Sequence, residues 1–229
     1  LGLVRHRALI GADALVRLDG HWTVVMEYIA GSTVAEVLRI ERVLPPSVAL
    51  KVAIEVASGL QAVWNAEPEP GRPLRLLHRD VKPSNLQLTD MGDVKVLDFG
   101  VARAEFEGRE AATQQVVFGS PPYLSPERLE LLDTPAGDVF ALGASLAEMI
   151  SGHRPEAVVA RPGPHAERIG RLIQAAEEVT GDPSLGKLLS DMMAYDMEER
   201  PTMAEVEQRC RALRKRHDSP DIRTWAKQT

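Results

Sequence analysis

The feature that most constrains the fold is a pair of short apolar runs on either side of a polar turn. The runs are residues 86–88 and 94–97, and the turn between them contains a single glycine. Apolar runs that flank a glycine-containing turn are typical of a β-hairpin. Because a hairpin folds the chain back on itself, we expect Asp80 and Asn85, before the first strand, to face Asp98, after the second.

Three oxygen-bearing side chains that converge in this way suit a magnesium–phosphate site. Magnesium prefers oxygen ligands and usually shares its coordination shell with substrate phosphates. We therefore expect Asn85 and Asp98 to hold the metal and Asp80 to accept the proton of an incoming hydroxyl. Lys82 would direct a positive charge at the phosphate that is transferred. This division of roles is that of phosphoryl transfer.

The same residues carry a family resemblance. His78, Arg79 and Asp80, with Asn85 after them, and then Asp98, Phe99 and Gly100, resemble the two signature motifs of the protein kinases. Both motifs in order, joined by a hairpin, are far more specific than either alone. The competing interpretation is a set of ordinary loop carboxylates beside a strand pair. The tetrapeptide Lys-Pro-Ser-Asn at 82–85 resembles the serine/threonine branch, and the composition resembles bacterial members.

The resemblance implies an α+β, protein-kinase-like fold, with a mostly helical C-lobe and a remnant of the N-lobe sheet. It divides the chain into a partial N-lobe (1–28), a C-lobe (29–217) and a tail (218–229). A second hairpin is predicted around Asp19 and Gly20. Its second strand runs into the segment that resembles the kinase hinge.

The resemblance also implies an adenine site. Met26 would be the gatekeeper residue, and Glu27 and Ile29 would offer backbone groups to the base. Gln87 stands where the family usually has an apolar residue beneath adenine, and Leu97 would line the same pocket.

The segment from 101 to 127 resembles the kinase activation segment. Ser120 stands where the family has a threonine that bridges Asp80 and Lys82. Thr113 is the one hydroxyl side chain between Gly100 and Ser120, and we predict that its phosphate would pair with Arg79 and with Arg103. An exposed, unmodified Thr113 is the alternative.

Three residues are expected to support the site without touching substrate. By resemblance, Glu127 and Arg200 form a buried ion pair, and Asp138 holds the backbone of the His-Arg-Asp loop.

Residues 48–65 are predicted to form a helix with Ser47 as its N-cap. Lys51 on this helix is expected to be solvated, although Val-Ala-Leu-Lys at 48–51 mimics the kinase strand that carries the phosphate-binding lysine. Residues 161–165 are expected to form a linker loop.

Composition excludes several other classes. The net charge of −6 does not favour nucleic-acid binding. A single cysteine, Cys210, rules out an intrachain disulfide. We expect no apolar run to be long enough to span a bilayer, and the first residues do not resemble a signal peptide. We therefore expect a cytoplasmic location, with a membrane-anchored parent protein as the alternative.

The function implied is that of a serine/threonine protein kinase. It would use ATP with Mg²⁺, or Mn²⁺ in its place, and act on serine or threonine hydroxyls of a protein substrate. The glycine-rich phosphate loop, the strand lysine and the regulatory-helix glutamate of the family do not occur in this sequence. Their absence favours a second hypothesis, a pseudokinase that serves as a scaffold without phosphoryl transfer.

Overall fold

The computed structural model describes residues 4–99 and 119–217, together with Ile222 and Trp225. The strands of this part are β1 (Ala12–Leu18), β2 (His21–Met26), β3 (Gly31–Thr33), β4 (Leu86–Thr89) and β5 (Val94–Val96). The helices are α1 (Val34–Glu41), α2 (Pro46–Asn65), α3 (Pro135–Ser151), α4 (Pro162–Thr180), α5 (Pro183–Met192) and α6 (Met203–Arg214). The predicted α+β class is confirmed, whereas the division into lobes stays a prediction.

The strands form two small antiparallel sheets. β1 and β2 pair around the predicted turn at Asp19 and Gly20, while the other sheet has the order β3-β4-β5. The N-terminal segment extends the second sheet, because Leu9 bridges Val96 in parallel and the Val96 N–H donates to the Ala8 carbonyl at 2.8 Å. This sheet therefore connects the first residues of the described chain to the strand that precedes Asp98.

Two helices, α2 and α3, form the centre of the core. Their apolar side chains are almost all buried, with Leu50, Ile54, Phe140 and Leu146 at 1% exposure or less. Helix α6 packs along α2, and helices α4 and α5 pack against α3. Burial of this apolar surface is the main stabilising contribution to a fold of this kind.

Helix α2 corrects the expectation that no apolar run could span a bilayer. By length and composition alone, residues 46–65 are long and apolar enough to do so. However, 72% of the most apolar window of α2 is buried inside the fold. Its apolar composition is accounted for by its position in the core.

The surroundings of Lys51 also differ from the prediction. Its side chain is only 25% exposed and forms an ion pair with Glu55, whose side chain is 6% exposed. The Arg7 Nε atom lies 2.7 Å from the other carboxylate oxygen of Glu55. Burial alone would raise the pKa of Glu55, but the two cations lower it below its usual value. Lys51 does lie on a helix, as predicted, yet it helps to neutralise a buried carboxylate that also fixes the N-terminal segment.

Two helix starts differ from the sequence prediction, and proline explains both. Helix α2 begins at Pro46 with Pro45 as its N-cap and no side-chain cap, so Ser47 lies inside the helix. Helix α4 begins at Pro162, within the predicted linker loop. Proline is well tolerated in the first helical turn, because the N–H groups there have no intrahelical acceptor and its φ is already helical.

The predicted ion pair between Glu127 and Arg200 is confirmed and buried. Arg200 Nη1 lies 2.7 Å from Glu127 Oε1 and Nη2 lies 2.9 Å from Oε2, with side-chain exposures of 0% and 9%. The remaining Arg200 N–H groups donate to the carbonyls of Ala194, Ala136 and Tyr195. The guanidinium fork is therefore fully hydrogen-bonded, as burial of this charge requires.

The charge of Arg200 sets the protonation of Glu127. Burial alone would raise the pKa of Glu127, but the hydrogen bonds and charge of Arg200 outweigh it and lower the pKa below the usual 4.5. A carboxyl group whose pKa is lower in the folded state stabilises the fold above its unfolded pKa. That stabilisation is lost as the pH falls through the lower, folded-state value.

Replacing Arg200 with leucine is expected to destabilise the protein by about 3–5 kcal/mol, because it leaves Glu127 charged, buried and unpaired. Urea unfolding at pH 7 measures the change. The double variant Glu127→Leu/Arg200→Leu should recover much of the loss, since neither charge remains. Equal stability of Arg200→Leu and the native protein would contradict a structural role for the pair.

Candidate active site

The hairpin that was predicted from residues 86–97 is present. β4 pairs with β5 with Leu86 opposite Val96, and Gly92 takes the turn conformation with φ of 77°. The Leu97 N–H then donates to the Asn85 carbonyl at 2.9 Å. The hairpin therefore places the residue before Asp98 directly beside Asn85, as the sequence pattern required.

Asp80 lies at the centre of a hydrogen-bonded cluster. Lys82 Nζ is 2.6 Å from Asp80 Oδ2 and 2.7 Å from Ser120 Oγ. The Ser120 N–H donates to Asp80 Oδ1 at 3.2 Å, and Asn85 Nδ2 donates to the Asp80 carbonyl at 2.8 Å. Ser120 thus contacts both Asp80 and Lys82, which is the bridging position expected for it.

The cluster keeps Asp80 ionised at neutral pH. Burial would raise the pKa of Asp80, but the hydrogen bond and charge of Lys82, with the donors of Ser120, lower it below its usual value. An ionised carboxylate can accept a proton, which is the role that the sequence assigned to Asp80.

The loop that carries Asp80 is held by Asp138, at the start of helix α3. Asp138 Oδ2 accepts the His78 N–H and Oδ1 accepts the Arg79 N–H, both at 2.8 Å. Burial raises the pKa of Asp138, while these two donors act in the opposite direction. The predicted scaffolding contact is confirmed.

His78 connects the two signature motifs, a role that the sequence did not reveal. Its side chain is fully buried. Its Nε2 atom lies 2.7 Å from the Leu97 carbonyl, and its Nδ1 accepts the Asp80 N–H at 3.3 Å. These partners assign the proton to Nε2 in a neutral ring. The ring also packs on Phe99, with the centroids 4.7 Å apart.

Arg79 has a partner that was not predicted. Its Nε atom lies 2.9 Å from Asp133 Oδ2, and Arg128 forms an ion pair with the same carboxylate. Thr113, Arg103 and Gly100 lie outside the described residues, so the predicted phosphate contact stays a prediction. A phosphate on Thr113 would have to compete with Asp133 for Arg79.

Asp98 has the backbone and exposure of a residue that is free to bind a ligand. Its φ is 49°, a left-handed conformation that aspartate tolerates better than most residues, and its side chain is exposed. Within the described ranges, no cluster of three or more His, Cys, Asp or Glu side chains could hold a metal alone. The amide oxygen of Asn85 and the carboxylate of Asp98 fit a magnesium ion that takes its other ligands from phosphates and water.

The predicted hinge makes several internal contacts. The Glu27 N–H donates to the Gly11 carbonyl at 3.0 Å, and Gln87 Nε2 donates to the Ile29 carbonyl at 2.8 Å. The Glu27 carboxylate accepts the Gly11 N–H at 2.7 Å, and this bond lowers the pKa of Glu27. Met26 is 39% exposed. Gln87 therefore holds the hinge through a hydrogen bond to its backbone, which an apolar side chain could not form.

Two acidic residues were missed by the sequence reading. Glu55 and Glu148 both stand within strongly apolar helices, and each is paired, Glu55 with Arg7 and Glu148 with the Tyr123 hydroxyl at 2.5 Å. A lone carboxylate in an apolar helix is itself a signal, because its burial requires a partner from another element.

Comparison with known proteins agrees with this geometry. Residues 1–210 match the family model described as protein kinase domain. The chain is 40% identical over 156 residues to the tyrosine-protein kinase MasK of Myxococcus xanthus, covering 66% of this chain and 24% of that protein. It is 35% identical over 153 residues to the serine/threonine-protein kinase PknL of Mycobacterium tuberculosis, covering 66% and 36%.

A solved structure shows the same fold. The crystal structure of Rad53 1–466 in complex with AMP-PNP superposes with a TM-score of 0.68 at 16% identity, covering 90% of this chain and 51% of that one. The chain spans between 24% and 36% of the length of the two curated relatives above. The family model covers nearly the whole described region, and the chain therefore belongs to the protein kinase family.

Proposed function

We propose that this chain is the large lobe of a serine/threonine protein kinase that transfers the γ-phosphoryl group of ATP to a protein hydroxyl. The observation that carries the proposal is the Asp80 carboxylate, held ionised between Lys82 and Ser120 and next to Asn85. Phosphoryl transfer needs a proton acceptor, a cation at the transferred group and a metal site in one place.

Each residue has a role that follows from its position. Asp80 Oδ1 and Oδ2 would orient the substrate hydroxyl and accept its proton, and Lys82 would neutralise charge on the transferred phosphoryl group. Asn85 and Asp98 would hold Mg²⁺, or Mn²⁺ in its place. When bound, the metal would neutralise charge on the β- and γ-phosphates.

The hinge contacts indicate which backbone groups would meet adenine. Internal hydrogen bonds engage the Glu27 N–H and the Ile29 carbonyl. Adenine would therefore use the Glu27 carbonyl and the Ile29 N–H, with Leu97 packed against the ring.

The acceptor is proposed to be serine or threonine. PknL is named a serine/threonine kinase and MasK a tyrosine kinase. The position of Lys82, in contact with both Asp80 and Ser120, supports the serine/threonine branch, for which the sequence Lys-Pro-Ser-Asn also argues. Phosphoamino-acid analysis of a labelled product distinguishes the two acceptors.

Nucleotide binding is tested by thermal unfolding with and without Mg²⁺-ATP. A ligand at a hundred times its Kd stabilises the folded state by about 2.7 kcal/mol. We expect a Tm increase of roughly 5–10 °C for a chain of this size. Asp98→Asn should abolish the part of the shift that depends on magnesium. Identical shifts in both proteins would rule out Asp98 as a metal ligand.

Phosphoryl transfer is tested with radiolabelled ATP and a generic protein substrate. We expect transfer by the native chain, and a loss of at least 100-fold in Asp80→Asn, because the general base is removed. Equal incorporation by both proteins would exclude Asp80 as the base. Nucleotide binding without transfer by the native chain would favour the scaffold hypothesis.

Asp138 is expected to act on the rate by positioning the loop. Asp138→Asn keeps the shape but replaces one carboxylate oxygen with a donor that faces a backbone N–H, so we expect kcat to fall about tenfold or more. The KM for ATP should change little, and Asp138→Ala should lower both stability and kcat further. Unchanged kcat in Asp138→Asn would show that the two hydrogen bonds do not position the loop.

A further inference from the structure

A cavity of about 580 Å³ opens beside the proposed catalytic residues. Lys82 and Ser120 line it, together with Arg39, Arg42 and Arg154. We call it the arginine-lined cavity. Because Lys82 also contacts Asp80, whatever enters the cavity lies close to the atoms proposed to react.

The fold brings these arginines together by docking the end of α1 on the end of α3. The Leu44 N–H donates to the Met149 carbonyl at 2.7 Å. Gly152 has φ of 73°, and a Cβ atom there would lie 2.7 Å from the Arg42 carbonyl oxygen. This close approach, which only glycine allows, fixes Arg42 at the side of the cavity where Arg154 follows α3.

The arginines of the cavity are exposed and weakly compensated. The Arg39 side chain is 76% exposed and reaches Glu36 only at 3.7 Å, and Arg42 and Arg154 are also exposed. Among the described residues that line the cavity, Glu148 is the one carboxylate. The net charge of its lining is therefore strongly positive.

Glu148 offsets only part of this charge. It accepts the Tyr123 hydroxyl at 2.5 Å, and Arg154 lies within electrostatic reach of the pair. Burial raises the pKa of Glu148, although Tyr123 and Arg154 act in the opposite direction. A cationic substrate side chain would thus meet three arginines and Lys82 against a single carboxylate.

We propose that the arginine-lined cavity selects protein substrates that carry an anionic side chain, carboxylate or phosphoryl, near the hydroxyl that is phosphorylated. The proposal rests on the proposed function, because it names the substrate class of the same site. Arginine forms paired, charge-assisted hydrogen bonds with both anions. An extended peptide advances about 3.3 Å per residue, so side chains within a few positions of the acceptor reach such a cavity.

Binding tests the proposal without requiring turnover. Fluorescence anisotropy would compare labelled peptides with one central serine flanked by glutamate, glutamine, lysine or phosphoserine. We expect the glutamate peptide to bind the native chain at least about tenfold more tightly than the lysine peptide at low salt. The preference should shrink as salt rises, because exposed charges are screened.

Matched variants locate the preference. The triple variant Arg39→Gln/Arg42→Gln/Arg154→Gln should bind the glutamate and lysine peptides equally well. The triple variant with glutamate at the same positions should bind the lysine peptide more tightly. Arg211→Gln, a surface arginine of α6 outside the cavity, should keep the preference of the native chain. If the triple variants unfold, the single variant Arg39→Gln is used to measure the same preference, because a side chain this exposed tolerates substitution.

The outcomes separate the inference from the proposed function. Tighter binding of the phosphoserine peptide than of the glutamate peptide would identify phosphoryl as the preferred anion, and the opposite order would identify carboxylate. Equal binding of the glutamate and lysine peptides, or a preference that survives in the triple glutamine variant, would overturn the inference. Equal kcat/KM on all peptides would also overturn the inference about substrate selection, but it would still support the proposed kinase function. Selective binding without transfer of phosphate would support the cavity and refute the kinase function.

Discussion

The loop that carries Asp80 keeps its shape because a buried carboxylate supplies the acceptors that its backbone would otherwise lack. Asp138, at the start of a core helix, accepts the N–H groups of His78 and Arg79. Arg79 has φ of 71°, a backbone conformation that is rare for a residue with a side chain. Such a conformation persists only when its surroundings hold it in place, and here the core helix does so.

From this fixed loop the rest of the site follows in two directions. His78 connects the loop to Leu97 and Phe99, so the loop is held to the segment that follows β5 and contains Asp98. Lys82 extends the other way to Ser120, which joins the segment toward Glu127. The Glu127–Arg200 pair then anchors that segment in the helical core. The loop, the hairpin and the segment from Ser120 to Glu127 are thus parts of one connected structure.

Charge is distributed in this structure according to burial. The buried carboxylates of Glu55 and Glu127, and the half-buried carboxylate of Asp80, each have a cation as partner, which holds their pKa values low. The arginines of the arginine-lined cavity are instead exposed. The charges that maintain the fold are therefore distinct from those that we propose to bind a substrate.

Sequence predicted the hairpin from local turn chemistry. The contacts of Asp138 and Arg200 reach partners 60 and 73 residues away, and they were expected only because the motifs around them resemble those of the kinase family. Distant contacts outside those motifs were missed. Lys51 was assigned to solvent, because the burial of its helical partner Glu55 depends on packing and on Arg7, 48 residues earlier in the sequence. The arginine-lined cavity depends on how α1 meets α3, which no local pattern specifies.

The central claim is that the loop and the hairpin gather Asn85 and Asp98 around one divalent ion beside Asp80. The most direct test is a crystal structure of the chain with Mn²⁺ and a non-hydrolysable ATP analogue, using the anomalous scattering of manganese to locate the ion. We predict a peak that contacts both the Asn85 amide oxygen and the Asp98 carboxylate. Nucleotide bound with the manganese peak away from both residues would contradict it.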